Sequence, residues 1–199
     1  ELNYAENGEL LFGSLFLDEA QLAQLQRSTV RAYAQIDSSL RHLGFPHWLR
    51  AWHFLARITE GEGEQERYRR FNAGRYRAIE LRGGALTELP AATAVGTHSR
   101  GLTICFLAGK EPITQIENPR QISEFSYPEI YGRRSPSFSR AALRQTAQSP
   151  TLVVSGTASI VGHATVHHGN ARAQTEEALR NIEALLQGAA QGRDGPALR

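Results

Sequence analysis

Cysteine and methionine are nearly absent from this chain of 199 residues, which contains one cysteine and no methionine. The single thiol, Cys105, excludes an internal disulfide framework and favours a reducing, cytoplasmic location. No apolar run approaches the roughly 18 residues that a membrane-spanning helix requires, and no secretory signal is visible at the start. Because translation supplies an initial methionine, we expect a fragment or a processed product.

An excess of charge of one sign is also lacking, since 22 basic residues face 20 acidic residues and the formal net charge is +2. The basic residues are scattered, with Arg67, Arg69 and Arg70 as the densest cluster. Nucleic acid is therefore not an expected partner. The chain is long enough, and apolar enough, to bury a real core.

The pattern of apolar residues predicts a mixture of helices and strands. From Asp18, apolar residues recur every three or four positions, which predicts an amphipathic helix with Asp18 as its N-cap and Gly44 as its stop. A second helix is predicted from 65 to 81, interrupted at Gly74. Strands are predicted at residues 9–13, 48–58, 92–95, 102–107, 122–127, 141–146, 152–155 and 158–161, and a final helix from Asn170.

This mixture predicts the α+β class. A weak internal repeat, in which a strand and glycine precede a long helix, relates residues 10–40 to residues 153–186. The positions in register are Thr29 with Thr175, Ile36 with Ile182, and Leu40 with Leu186. Two such units packed side by side would form a pseudo-oligomer within one chain. Residues 188–199 lack periodicity and predict a disordered tail.

Five motifs resemble the chorismatase family in sequence, order and spacing, and the resemblance runs from about residue 9 to 187. The motifs are ERYRRFNAGR (66–75), PAATAVG (90–96), YGRRSPSFSR (131–140), VSGTASIVGH (154–163) and QTEEALRNI (174–182). The resemblance implies two tandem YjgF/RidA-like units with chorismate mutase-like topology. Residues 1–88 would form the remainder of the first unit, with an N-terminal piece missing, and residues 89–187 the second.

The resemblance also implies an enzyme that converts chorismate to pyruvate plus 3- and/or 4-hydroxybenzoate, or to a cyclohexadiene diol. No metal or organic cofactor is expected, and the chain would be a monomer or a small homo-oligomer. Two alternatives remain: an imine or enamine deaminase of the RidA type, and a non-catalytic relative that binds a small molecule.

Chorismate carries two carboxylates, so its site needs fixed cations and hydrogen-bond donors. Arg140 is the first candidate for a carboxylate clamp, and Tyr131 is a candidate hydroxyl donor. Gly156, Thr157 and Ala158 are expected to bring accessible backbone amides close to the ligand.

The motif at residues 66–75 is expected to face the same pocket. Arg75 would hold substrate or pair with an acid, and Phe71 would line the site. Ala73 and Gly74 would act through their small volume in selecting the product.

Cleavage of the enol ether requires a proton donor. Where the family is expected to carry a glutamate after Gly-His, this chain has Ala164, and Glu176 is the candidate substitute. Glu177 is expected to be an exposed residue at the helix start. The histidines at 163, 167 and 168 have a spacing that suits no common metal site, and Cys105 is expected to be a packed residue.

Overall fold

The computed structural model describes residues 2–83, 89–122, 137–146 and 150–191, which contain ten strands and three α-helices. The strands are β1 (Leu2–Glu6), β2 (Leu10–Leu17), β3 (His47–Ala56), β4 (Ala91–Thr97), β5 (Leu102–Gly109), β6 (Ile113–Ile116), β7 (Ala141–Arg144), β8 (Thr151–Val154), β9 (Ile160–Val161) and β10 (Ala164–Thr165). The helices are α1 (Leu25–His42), α2 (Arg67–Arg82) and α3 (Ala171–Gln191), with short 3-10 turns at Gln21–Gln24 and Gly63–Gln65.

Five strands form one sheet in the order β1-β2-β5-β3-β4. All neighbours are antiparallel except β3 and β4, which run parallel because α2 carries the chain back across the sheet. Residues alternate along β2, with Leu11 and Leu15 buried against the helices and Phe12 and Phe16 exposed on the opposite face. This period of two is the pattern of a sheet with one covered face.

The main core lies between this sheet and the two helices α1 and α2. Leu25, Ile36 and Leu40 form the buried stripe of α1, as the helical spacing predicts. Gly74 is buried where α2 crosses α1. The two helices are so close at this point that a Cβ on residue 74 would lie 2.6 Å from Gln26 O. The predicted interruption of α2 at Gly74 is therefore wrong: this glycine allows close helix packing inside a continuous helix.

A second, three-stranded sheet has the order β6-β7-β8 and packs against α3. Its small core brings side chains of the strands together with two residues near the end of α3. The buried members are Ile116, Ala141, Leu143, Leu185 and Ala189. β9 and β10 form a separate hairpin, which lies between β8 and α3 in the sequence.

The predicted α+β class is confirmed, and the tandem arrangement stays a prediction. The five-stranded sheet continues past the predicted boundary at residue 88, because β4 and β5 pair with β2 and β3. The helix α3 continues to Gln191, so it includes the first residues of the predicted tail. Residues 192–199 lie outside the described residues.

Element boundaries differ from the prediction at several other places. α1 begins at Leu25 rather than near Asp18, because a 3-10 turn over Gln21–Gln24 precedes it, and Asp18 Oδ1 accepts a hydrogen bond from Gln21 N (2.8 Å) at the start of that turn. β1, β6 and β10 were not predicted. The strand predicted from 158 is reduced to β9, and most of the strand predicted at 122–127 lies outside the described residues. Gly44 does end α1, with a positive φ of 81°.

Membrane-spanning helices are absent from the part of the chain that the structure describes.

Candidate active site

A cavity of about 300 Å³ lies beside the edge strand β4, and we call it the β4 cavity. One side is formed by α2, and the opposite side by residues near 138 and a loop that follows β8. Its lining residues are Tyr68, Arg75, Ala92, Thr93, Ala94, Val95, Phe138, Gly156, Thr157 and Ala158. Four residues predicted for the site, namely Arg75, Gly156, Thr157 and Ala158, therefore meet in this cavity.

Arg75 is the cation among the described residues that line the β4 cavity. It is only 3% exposed, and its Nη2 donates to the carbonyl oxygen of Ser137 at 2.8 Å. Its guanidinium carbon lies 5.7 Å from the ring centre of Tyr33 and 5.9 Å from that of Phe71. Its Nε is buried and has no hydrogen-bond partner among the residues that the structure describes. A buried donor of this kind suits an anionic oxygen, because charge-assisted hydrogen bonds strengthen away from water.

The loop Gly156–Ala158 forms the opposite side of the cavity and is held by backbone contacts to β4. Gly156 N donates to Ala92 O at 3.2 Å, and Ser155 Oγ accepts from Ala92 N at 2.8 Å. A Cβ on Gly156 would lie 2.9 Å from Thr93 Oγ1, so any larger residue would push the loop away from β4. The glycine thus allows the loop backbone to lie close to β4, and the close approach to a ligand stays a prediction.

Thr93 is held on both faces of the sheet. Arg50 donates to its Oγ1 on one face, and His53 Nδ1 lies 2.8 Å from its carbonyl oxygen on the other. Burial lowers the pKa of Arg50 to about 10, so the guanidinium remains charged at neutral pH. Arg50 also lies 5.0 Å from the ring centre of Trp52.

Arg140 is buried but does not line the β4 cavity. Its Nη2 donates to Ile122 O at 2.9 Å, and its guanidinium carbon lies 6.0 Å from the ring centre of Phe138. Phe138 does line the cavity, so the predicted clamp Arg140 contacts a lining residue but is not itself part of the described lining. Burial raises the pKa of Glu117, and the positive charge of Arg140 opposes this shift.

The two acidic residues considered near the start of the final helix differ in exposure from what the sequence suggested. Glu176 is exposed and pairs with Arg172 one turn earlier, at 3.1 Å. Glu177, predicted to be exposed, is only 4% exposed and accepts hydrogen bonds from Arg120 and Arg180. The helical period explains this difference, because Glu177 lies on the face of α3 that packs on the rest of the chain.

Ala164 lies in the exposed strand β10, opposite Val161 in the hairpin. Neither Ala164 nor Glu176 is among the residues that line the β4 cavity. No carboxylate belongs to the described lining. No group of three potential metal ligands occurs among the described residues either.

The remaining predicted site residues do not line the β4 cavity in the part of the chain that the structure describes. Phe71 is fully buried beneath Arg75 and contacts the imidazole of His53, with ring centres 4.9 Å apart. Ala73 and Gly74 do not line the cavity, and Gly74 packs against α1 instead. Tyr131 lies outside the described residues.

Six lining residues were not predicted as site residues: Tyr68, Ala92, Thr93, Ala94, Val95 and Phe138. All six lie inside the motifs at 66–75, 90–96 and 131–140, so the motifs themselves were the available signal. Motif membership does not say which side chain faces a cavity, since that depends on the orientation of each element.

The α+β architecture carries a partly buried cavity lined by an arginine, a residue type that can bind a carboxylate. A family model described as "Chorismatase FkbO/Hyg5-like, N-terminal" matches residues 1–108. The chain belongs to this chorismatase family, as its motifs predicted.

Relatives and a solved structure agree with this assignment. The chain is 36% identical over 196 residues to a protein named chorismatase from Streptomyces rapamycinicus, covering 96% of this chain and 58% of the relative. It is 33% identical to a 3-hydroxybenzoate synthase from Streptomyces hygroscopicus, covering 94% of this chain and 56% of that protein. A chorismatase crystal structure superposes with a TM-score of 0.89 at 31% identity, covering 99% of this chain and 60% of that one. The chain therefore spans little more than half the length of these relatives.

Proposed function

We propose that this chain acts on chorismate, releasing pyruvate together with 3- and/or 4-hydroxybenzoate. The family assignment supports the substrate, and two curated names among the relatives, chorismatase and 3-hydroxybenzoate synthase, support the chemistry. The structural observation that supports the proposal for this chain is the position of Arg75 at the β4 cavity. Its guanidinium is buried at the β4 cavity with an Nε that has no partner among the described residues.

In the proposed complex, Arg75 binds one substrate carboxylate through charge-assisted hydrogen bonds. The loop Gly156–Ala158 lines the cavity, and because Gly156 N already donates to Ala92 O, the N–H groups of Thr157 and Ala158 are the proposed donors to a second oxygen. Tyr68 and Phe138 provide flat, partly apolar surface for the ring. Ala92 and Ala94 leave room beside β4.

The reaction balances without a cofactor. Protonation of the enolpyruvyl methylene carbon gives an oxocarbenium ion, and cleavage of the ether with loss of a ring proton gives pyruvate and an aromatic hydroxybenzoate. Net addition of water would instead give pyruvate and a cyclohexadiene diol. Exclusion of water from the cavity would favour the aromatic product.

The first test is an assay of this chain with chorismate, in which pyruvate is measured by a coupled enzyme and ring products by chromatography. We expect pyruvate and hydroxybenzoate in equal amounts. Arg75→Lys keeps the charge but loses the planar fork, so kcat/KM should fall about ten- to a hundredfold.

The matched control is Arg77→Lys on the same helix, because Arg77 is exposed and pairs only with Glu80 at 3.2 Å among the described residues. Arg77→Lys should leave kcat/KM unchanged. Equal losses in both variants, or a chain that neither binds nor consumes chorismate, would contradict the proposal.

A second function, binding without turnover, is favoured by the described cavity lining, which contains no carboxylate. Tight chorismate binding without pyruvate would identify it. Ala164→Glu then separates a disabled enzyme from a binding protein, because Ala164 is exposed and tolerates a larger side chain. Pyruvate release by this variant would establish a lost proton donor, and continued inactivity would favour a binding role.

A further inference from the structure

The cavity-lining Arg75 packs against two buried polar side chains, Tyr33 and His53, which do not themselves line the cavity. The Arg75 guanidinium rests against the Tyr33 ring, and Tyr33 Oη lies 2.6 Å from His53 Nε2. His53 Nδ1 lies 2.8 Å from Thr93 O, which belongs to the cavity-lining strand. Tyr33 and His53 are both buried, and His53 has no exposed surface.

The chemistry of these groups sets the direction of each hydrogen bond. A backbone carbonyl only accepts, so His53 Nδ1 must carry a proton and donate to Thr93 O. Burial, together with the positive charges of Arg75 and Arg50, holds the pKa of His53 well below 6.5, so the ring is neutral. Its Nε2 is therefore an acceptor, and Tyr33 must donate its hydroxyl proton to it.

This arrangement keeps the region below Arg75 free of a second positive charge. A protonated imidazole would repel the guanidinium, whereas the neutral ring offers Tyr33 an acceptor without added charge. The other face of Tyr33 stacks on Trp48, with ring centres 5.4 Å apart. The phenol is thus fixed both by stacking and by one directional hydrogen bond.

We propose that Tyr33 and His53 are positioning residues for Arg75. The hydrogen-bonded chain from Thr93 through His53 to Tyr33 ties the arginine's aromatic support to the strand that lines the β4 cavity. It thereby sets the direction in which Arg75 presents its N–H groups to a carboxylate. Only the identity of that carboxylate as chorismate rests on the proposed function.

The first test observes Arg75 itself and needs no turnover. The Arg75 Nε–H signal is identified in a nitrogen–proton NMR spectrum by its loss in Arg75→Lys. Tyr33→Phe keeps the ring but removes the hydroxyl, and His53→Leu removes the acceptor. In both variants the signal should shift and its exchange with solvent should accelerate roughly five- to tenfold, as expected for one lost buried hydrogen bond.

His53→Gln is the conservative variant, because its amide oxygen can accept from Tyr33 and should restore part of the slow exchange. Leu185→Ala is the matched control. Leu185 is buried in the small core of the three-stranded sheet and α3, a cluster that contains neither Tyr33 nor His53, so its loss should lower Tm without changing the Arg75 signal. An Arg75 signal that is the same in wild type, Tyr33→Phe and His53→Leu would overturn the proposal.

The second test separates positioning from general stability. If Arg75 binds the carboxylate equally in the ground state and the transition state, Tyr33→Phe should raise the KM for chorismate about tenfold with kcat within about twofold. Leu185→Ala should leave KM unchanged. If wild type releases no pyruvate, the proposed function fails and the NMR comparison alone decides the positioning role. If it releases pyruvate and Tyr33→Phe leaves KM unchanged, the positioning role fails and the function stands.

Discussion

In the motif at residues 66–75, two neighbouring residues of α2 make different contacts. Arg75 points to the β4 cavity, whereas the preceding Gly74 faces α1, where a Cβ would lie 2.8 Å from Thr29 Cβ. The prediction that Gly74 selects the product through its small volume therefore has no geometric support in this cavity. The glycine acts on helix packing.

Gly74→Ala should lower the free energy of unfolding by about 1–3 kcal/mol through overpacking, as measured by chemical denaturation. The product ratio from chorismate should not change. Gly188→Ala is the matched control, because Gly188 lies in α3 and its added Cβ would meet only Ile116, at 3.8 Å. That variant should gain about 0.4–1 kcal/mol. A changed product ratio with unchanged stability in Gly74→Ala would restore the original prediction.

At the scale of elements, α3 anchors the loop that lines the cavity. Asn181 Nδ2 donates to Ala158 O at 3.0 Å and to Ile160 O at 2.9 Å. Arg120 Nη1 donates to Asn181 Oδ1 at 3.0 Å and thereby orients the amide. A fully buried asparagine thus joins the last helix to the loop Gly156–Ala158.

Asn181→Ala removes two buried hydrogen bonds and the acceptor of Arg120 Nη1, although Ala158 O keeps Ile160 N as a donor (2.8 Å) and Ile160 O keeps Gln121 Nε2 (3.2 Å). The free energy of unfolding should therefore fall by about 1–3 kcal/mol. Amide exchange at residues 158–162 should accelerate together with this loss. Asn170→Ala is the control on the same helix, because Asn170 Oδ1 only caps the first turn by accepting from Ala173 N (3.1 Å). It should cost about 1 kcal/mol and leave exchange in the loop unchanged. Equal exchange in both variants would contradict the anchoring role.

At the scale of the whole molecule, buried and paired groups make stability depend on pH. His53 is buried and its pKa is held well below 6.5, so the unfolded chain binds a proton that the folded chain does not. Hydrogen bonds from Arg67 and Arg120 lower the pKa values of Glu19 and Glu177, respectively. Their stabilisation is present above the unfolded value near 4.5 and is lost as pH falls below it.

Lowering the pH from 7 to 5 should therefore reduce the free energy of unfolding, with a limiting slope of about 1.4 kcal/mol per pH unit from His53. Below about 4.5 the two glutamates should add a second decrease. In a plot of the free energy of unfolding against pH, His53→Gln should reduce only the slope between pH 7 and 5. Glu177→Gln should reduce only the slope below about 4.5. Chemical denaturation at a series of pH values measures both segments. An unchanged first segment in His53→Gln would contradict the assignment.

The architecture followed closely from local patterns. The stripe on α1, the alternation along the strands and the stop at Gly44 are short-range features, so a sequence carries them directly. Asp18 was assigned to the wrong turn because a 3-10 segment and an α-helix share the same capping chemistry. β1 was missed because it lies at the sheet edge and four of its five residues are exposed.

The sequence alone determined the family and the α+β class, and its motifs contain the described cavity lining, of which Arg75, Gly156, Thr157 and Ala158 were predicted as site residues. Only the tertiary structure decided which neighbour faces inward. It buried Glu177 instead of Glu176, turned Gly74 to α1, kept Arg140 out of the described lining of the β4 cavity, and joined Tyr33 to His53 across 20 residues. The physical reason is that a side chain's surroundings depend on how distant elements cross, and neither motif spacing nor periodicity encodes those crossings residue by residue.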